Sequence, residues 1–371
     1  LEGLTIESMS PARMAWQRYW RHRGAAICTV VMAALLLFVL LAPLTARYGV
    51  NEQVCSIQEC KNQFIPPSSI AWFGTDDIGR DLYSRLIYGV RVSLIIGFFS
   101  AIISVALGCV IGAVAGFRGG RFDDIVMRVT DLFLAFPFLV ALLVVRNTLG
   151  AVSWLTFFIG DKSSIRFIVF LLALFGWMGV ARVVRGQVLS LKEREFIEAA
   201  RAVGASRKYI IMKHLLPNSI GPIMVALTFS VVGSIIAEST LAFFGYGPQA
   251  GDGSTSLGVL VGAAKGAVQT GYWWIAVFPC TALVVIALCI NFIGDALRDA
   301  TDPRLDIEPD NLATFERPVR QLPVQEEEIA HQRQGRQSIA QDGHQRASDQ
   351  ADHLLRIAHH LAHGSGRLQV G

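Results

Sequence analysis

Four stretches of this chain run without Asp, Glu, Lys or Arg for longer than a helix needs to cross a bilayer. Gly24 to Ala46 is free of charge for 23 residues, Val92 to Phe117 for 26, His214 to Ala237 for 24 and Gly266 to Gly294 for 29. About 20 apolar residues carry an α-helix through the hydrocarbon core. Inside that core the backbone must satisfy its own N–H and C=O groups, which a helix does alone. Only 17% of the 371 residues are charged and 53% are hydrophobic, against about 25% charged in a soluble domain. A water-soluble enzyme is excluded, and the chain reads as an all-α polytopic membrane protein.

Two further blocks are shorter. Leu132 to Val145 is uncharged for 14 residues and Phe167 to Ala181 for 15. Each spans the core if Asp131, Arg146, Arg166 and Arg182 sit at the interfaces, where long side chains snorkel. Asn147 to Gly160, broken by Asn147, Gly150 and Ser153, reads as an external loop. The total is six transmembrane helices, which puts both termini on one side. Lys and Arg number 17 in the 81 residues of the terminal and loop segments on that side, against nine in the 98 residues of the opposite loops. The bias makes the first side, with both termini, cytoplasmic. The first block is too long for a signal h-region, and Pro43 and Arg47 beyond it do not resemble a cleavage site. The expected organisation is a cytoplasmic segment over 1–23, a transmembrane domain over 24–300 and a polar cytoplasmic tail over 301–371.

Charge divides along the same lines. Residues 1–300 carry a net charge of +7 and residues 301–371 a net of −3. The positive balance belongs to the cytoplasmic membrane face, and no basic stripe interleaved with aromatics points to nucleic acid. The tail is rich in Gln, Glu, Arg and Asp and poor in aromatics, a composition that cannot offset its ordering entropy. Its His359, His360 and His363 suit a metal less well than a solvated segment. Cys28, Cys109, Cys280 and Cys289 lie in crossings, where Cys acts as a small apolar residue. Cys55 and Cys60 sit in an external loop facing an oxidising compartment, either as a short-range disulfide or as two free thiols.

Enzymatic signatures are missing. No Gly precedes any Lys, so no phosphate-cradling G-x-x-x-x-G-K-[ST] loop exists, and H-E-x-x-H and G-x-S-x-G are absent. Two carboxylates fall within crossings. Asp131 is expected to pair with Arg128, and Glu238 to reach the outer interface. So few buried charges argue against a self-sufficient secondary carrier.

The most informative segment is the loop RVVRGQVLSLKEREFIEAARAVGASRKYIIMKHLLPNSIGP. It is too charged for lipid, yet Val188, Leu191, Phe196, Ala199 and Val203 recur at helical spacing. Gly204 breaks that helix, and a second short helix from Ser206 to Leu215 ends at Pro217. The expected result is an L-shaped knob whose small tip, Ala199, Ala200 and Gly204, lets another backbone approach closely. Glu193, Glu195, Glu198, Arg201, Arg207 and Lys208 rim it with charge. An interfacial amphipathic helix would explain the stripe but not the small-residue turn. On the outer side, Asp76, Asp77, Arg80, Asp81 and Arg85 recur at helical spacing with an Asp81–Arg85 pair at i, i+4. They read as a structured outer cap or as a solvated helix face. Pro137 and Pro279 mark kinks.

Glu198-Ala199-Ala200, Gly204 and Leu216-Pro217 together resemble the EAA loop of ABC importer permeases, with His214 at a position usually apolar. GTDDIGRDLYSRLIYGVRVSL, RVTDLFLAFPFL, AESTLAFFGYG and the N-terminal AWQRYWRHRGAAICTVVMAALLLFVLLAP resemble, in order, segments of the C-type oligopeptide/dipeptide permeases. The resemblance covers about residues 13–304. It implies a type I ABC importer permease fold in a bacterial plasma membrane. It also implies a homologous second permease, two cytosolic ATPase subunits that bind ATP and Mg, an extracytoplasmic binding protein and a peptide substrate. The chain itself then binds no cofactor and no metal, and its coupling loop spans about 190–217. Another solute such as nickel is the alternative cargo.

Overall fold

The computed structural model describes residues 11–54, 64–248 and 255–301. The expected 301–371 tail (beyond Thr301) and the Cys55–Cys60 pair lie outside the described residues. Regular structure among the described residues is helical apart from two isolated bridges, Gln53 with Arg80 and Thr75 with Asp81. Among the described residues, five helices are long and apolar enough to cross a membrane. They are α2 (Arg23–Leu40), α4 (Leu82–Arg118), α8 (Ile165–Leu191), α12 (Ile220–Phe243) and α14 (Trp274–Thr301). Short helices α1 (Pro11–Arg21) and α3 (Ala42–Thr45) flank α2.

The remaining expected crossing is a bent pair of helices. Helices α5 (Gly120–Ala135) and α6 (Phe138–Leu149) meet at 97° around Phe136 and Pro137. A residue before proline is driven out of the helical region, and Phe136 accordingly has φ −77° and ψ 142°. The expected kink is therefore a right-angle break. Pro279, in contrast, lies inside a continuous α14. The stretch expected as a plain loop after α6 holds a further helix, α7 (Ser153–Ile159), closed by Gly160 at φ +92°. Its Trp154, Phe157 and Phe158 are exposed, a pattern that suits an interface.

The most extensive helix pairing joins α4 to α8. Glycines at four-residue intervals on α4 make it possible. A Cβ on Gly108 would lie 2.6 Å from Val180 Cβ, and one on Gly112 would lie 2.3 Å from the Ala181 carbonyl oxygen. Gly116 would meet the Arg185 carbonyl at 3.0 Å, and from the other side Gly176 would meet Ser104 Oγ at 2.3 Å. In lipid no hydrophobic force draws helices together, so close backbone contact supplies the attraction. Val105, Ala113, Val180, Val184 and Val188 fill the seam. On the opposite edge α4 meets α12, where Gly97 would touch Ile235 Cγ1 at 2.5 Å.

Replacing Gly112 by Ala should force the two backbones apart and destabilise the protein by about 1–3 kcal/mol, the usual cost of overpacking. Gly179→Ala, whose Cβ meets nothing within 4 Å, should be neutral or slightly stabilising. Thermal unfolding in detergent would compare them, and equal melting temperatures for the two variants would refute the seam.

Candidate functional site

Beyond Leu191 the chain turns at Lys192–Arg194 into α9 (Glu195–Ala202). The end of α9 is closed by paired backbone bonds. Ala205 N–H donates to the Ala200 carbonyl at 3.0 Å and Gly204 N–H to the Arg201 carbonyl at 3.0 Å. Crossed bonds of this kind need a left-handed residue just past the helix, and Gly204 supplies it at φ +81°. Ala200 and Ala205, at the two ends of the first bond, each pack against the edge of the α4–α8 seam. Ser206 then caps α10 (Arg207–Ile210), its Oγ accepting from Tyr209 N–H at 3.3 Å.

A π-helical turn over Ile211–Leu215 and the one-turn α11 (Leu216–Asn218) lead into α12. Pro217 has no N–H to give, so nearby carbonyls need other donors. Asn218 Nδ2 donates to the His214 carbonyl at 2.6 Å, and Ser219 Oγ to that of Leu215 at 2.8 Å. Pro217 therefore marks a repaired break, where the sequence suggested a plain stop.

Ile197, Ile210 and Leu215 are fully buried and join the cluster of Val180, Val184 and Val188. The elbow is a continuation of the α4–α8 seam. Its expected apolar stripe divides: Val188 is buried and Leu191 half-buried, whereas Phe196, Ala199 and Val203 face outward, Val203 at 84% exposure. The turn at Lys192–Arg194 resets the helical phase, so Ile197, outside the stripe, becomes the anchor. Tyr209 and Met212 add to the exposed apolar face, and Glu193, Glu195, Glu198, Arg201, Arg207 and Lys208 are all exposed around it. Arg201 lies over the Phe117 ring at 5.4 Å. Phe117, Arg118, Arg201, Ala205, Arg207 and Ile210 line a cavity of about 400 Å³ between the elbow and the end of α4.

At the other end of α4 the charged residues do not form the expected helix. Asp76, one of the charged residues of this segment, is the hub. Its Oδ1 accepts from Ile78 N–H at 3.1 Å and Arg80 N–H at 2.9 Å. Its Oδ2 accepts from Arg80 Nε at 2.8 Å and from Arg85 Nη1. Arg85 therefore pairs with Asp76 and not with Asp81, because Asp81 is held as the N-cap of α4, accepting from Ser84 N–H at 2.8 Å and Ser84 Oγ at 2.6 Å. Asp77 is exposed.

The two intramembrane carboxylates also depart from expectation. Asp131 pairs with Arg182 across to α8, not with Arg128 on its own helix. Glu238 does not reach an interface: at 1% exposure it accepts from Ser93 Oγ at 3.0 Å and Ser256 Oγ at 2.6 Å. Leu257 N–H and Val259 N–H donate to the same two hydroxyls at 3.0 and 3.1 Å. Both serine protons are thereby aimed at the carboxylate, which pins the start of α13 (Leu257–Ala267) to α4 and α12. A lone Glu near the end of an apolar block was the only signal for this network. Among the described residues, no three His, Cys, Asp or Glu side chains gather as metal ligands.

A multi-pass helical body with a packed elbow between the long helices α8 and α12 defines an integral-membrane transport subunit. Residues 108–307 match the family of binding-protein-dependent transport system inner membrane components, and residues 10–67 match the N-terminal TM domain of oligopeptide transport permease C. The chain belongs to this permease family, whose members work in complexes with other subunits. It is 35% identical over 298 residues to the dipeptide transport system permease protein DppC of Bacillus subtilis, covering 80% of this chain and 87% of that one. It is 34% identical over 306 residues to the oligopeptide transport system permease protein OppC of Haemophilus influenzae, covering 82% and 92%. Among solved structures, an inward-facing form of the MetNI methionine ABC transporter aligns with a TM-score of 0.49 at 20% identity, covering 59% of this chain and 97% of that one.

Asp76→Ala leaves Arg85, 4% exposed, without its partner and should cost about 3–5 kcal/mol, as breaking buried pairs does. Asp81→Ala removes a helix cap and should cost about 1 kcal/mol. Thermal unfolding of the purified protein checks the order, and a smaller loss for Asp76→Ala would refute the hub.

Proposed function

We propose that this chain is the C-type permease subunit of a peptide importer in a bacterial plasma membrane, with both termini cytoplasmic. It forms half of the translocation path beside a homologous second permease, receives peptide from an extracytoplasmic binding protein and is driven by two cytosolic ATPase subunits that hold ATP and Mg. The peptide cargo rests on the permeases of dipeptide and oligopeptide systems to which the chain is about one-third identical over four-fifths of its length. The transmembrane domain runs over 24–300, and residues 74–91 form the outer cap offered to the binding protein.

The observation that carries the coupling role is the elbow, residues 190–217. Its buried side is one packing unit with α4 and α8, while Phe196, Val203, Tyr209 and Met212 are left bare in a charged rim. Glu198, Ala199, Ala200, Arg201, Gly204, Arg207 and Pro217 are the coupling residues. Ala200, Gly204 and Pro217 shape the turn, Ala199 keeps its outer surface small, and Glu198, Arg201 and Arg207 give polar contacts. Closure of the ATPase pair moves the elbow as a rigid lever, and the helices rock between outward- and inward-facing states. Chemistry stays in the ATPases, and this chain supplies differential contact in two states.

Gly204 tests the reading. Its Cβ position is open to 4 Å, so a large side chain there obstructs a partner more than this chain. Gly204→Ala introduces only the strain of a left-handed residue, about 1 kcal/mol. Gly204→Trp should abolish uptake of labelled di- and oligopeptides and co-purification of the ATPases, with membrane insertion intact, while Gly204→Ala keeps most of both. Normal uptake by Gly204→Trp would overturn the coupling role. Uptake of nickel but not peptide would overturn the cargo.

A further inference from the structure

The Asp131–Arg182 pair is unlike the other ion pair between the same helices. Asp123 is shielded at 7% exposure and held by Arg185 through two bonds of 2.5 and 2.6 Å. Asp131 and Arg182 stand open, 62% and 47% exposed. Arg182 lies 15 residues along α8 from Phe167, where its uncharged block begins. With Phe167 taken as the outer edge of a core of about 30 Å, 1.5 Å per residue puts the pair about 23 Å in, close to the inner interface. Charged side chains turned to lipid at depth are strongly disfavoured. The face carrying this pair is therefore turned to water or to protein.

The backbone gives the same answer independently. A few residues beyond Asp131 the helix stops, and Phe136 and Pro137 adopt irregular conformations before α6 begins. Irregular backbone at membrane depth is tolerated only where protein covers it or it lines a water-filled cavity. Phe133, Phe136 and Phe138 are exposed along this stretch, and two of them meet Phe175 edge-on. Open charge, broken backbone and exposed rings thus share one edge of the third crossing.

Resting on the peptide-import reading, we infer that this edge lines the inner half of the translocation path and that Asp131 and Arg182 contact the termini of the passing peptide. A peptide with free ends carries an ammonium and a carboxylate. Asp131 takes the first and Arg182 the second, through a charge-assisted bond that a guanidinium can make bidentate. With no peptide present the two residues neutralise each other. Exchanging one ion pair for two leaves little net gain, so the cargo is recognised without being trapped, as conduction requires. Asp131 and Arg182 are specificity-determining residues in this scheme, distinct from the coupling elbow.

The test uses the full importer in proteoliposomes, with its binding protein, second permease and ATPases. Uptake of a free tripeptide is compared with that of its N-acetylated and C-amidated forms. Arg182→Gln should lower free-peptide uptake about tenfold relative to the amidated form, and Asp131→Asn should do the same relative to the acetylated form. Co-purification of the other subunits verifies assembly. Independently, Arg182→Cys should react with a membrane-impermeant thiol reagent, and peptide should slow that reaction. Unchanged free-to-capped ratios in both variants, or an unreactive residue 182, overturn the inference while leaving peptide import by the unaltered protein intact. Failure of the unaltered protein to import any peptide overturns the cargo reading instead, and the terminus contacts with it.

Discussion

A bilayer removes the force that assembles soluble helices. Lipid tails are as apolar as leucine, so α4 and α8 gain nothing by hiding side chains from them. What holds this permease together is the approach of two backbones along Gly108, Gly112 and Gly116, close enough that a methyl group would collide with Val180, the Ala181 carbonyl or the Arg185 carbonyl. Dispersion contacts are individually weak but dense at that separation. Because the seam runs past the end of the apolar block into Ile197, Ile210 and Leu215, the elbow is not a flexible loop hung between crossings. In the proposed coupling role, displacement at Gly204 would reach α8 through a packed interface that deforms little.

Buried polar groups do a second job, which is to register irregular segments against that seam. Asp76 gathers two backbone N–H groups and two arginines, fixing the loop that enters α4. Glu238 does the same for the start of α13 through two serine hydroxyls whose own acceptor positions are filled by backbone N–H groups. Such groups contribute less to net stability than to the uniqueness of an arrangement, since every alternative register would strand a charge. Near Pro217 the polar side chains of Asn218 and Ser219 satisfy carbonyls left without helical donors. In each case the polar atom sits where the helical hydrogen-bond pattern ends.

The distinction between local and distant partners separates what the residues disclosed in advance from what they concealed. Long uncharged blocks announce crossings because charge exclusion is a property of the stretch itself. Gly204 announces its turn because the left-handed requirement is met or failed by one residue. The Asp131 partner was hidden: Arg128 is three positions away in sequence, but Arg182, on another helix, faces it in space. Asp81 looked like a partner for Arg85 at i, i+4, yet the helix begins only after it, so it caps rather than pairs. The outward turn of Phe196 and Val203 depended on a phase reset at Lys192–Arg194 that no periodicity count could supply. The right-angle turn at Pro137 followed the same rule, since proline signals an interruption but neighbouring helices set its angle.

The third crossing gains meaning from the way its halves are attached. The α6 half is held by apolar packing, with Leu142 fully buried among Phe167, Leu171 and Phe175. The α5 half is tied to α8 through two ion pairs, Asp123–Arg185 and Asp131–Arg182. Apolar packing tolerates no partner exchange without opening a cavity, whereas an exposed ion pair is worth little and can trade one charged partner for another. The break at Phe136–Pro137 therefore joins a half held by apolar packing to one held by a shielded pair, Asp123–Arg185, and an open, exchangeable one, Asp131–Arg182. Under the proposed rocking motion, a body that moves as a unit on the α4–α8 seam needs an element that can change its contacts between states. The lower half of the third crossing is where polar attachment, irregular backbone and open charge coincide.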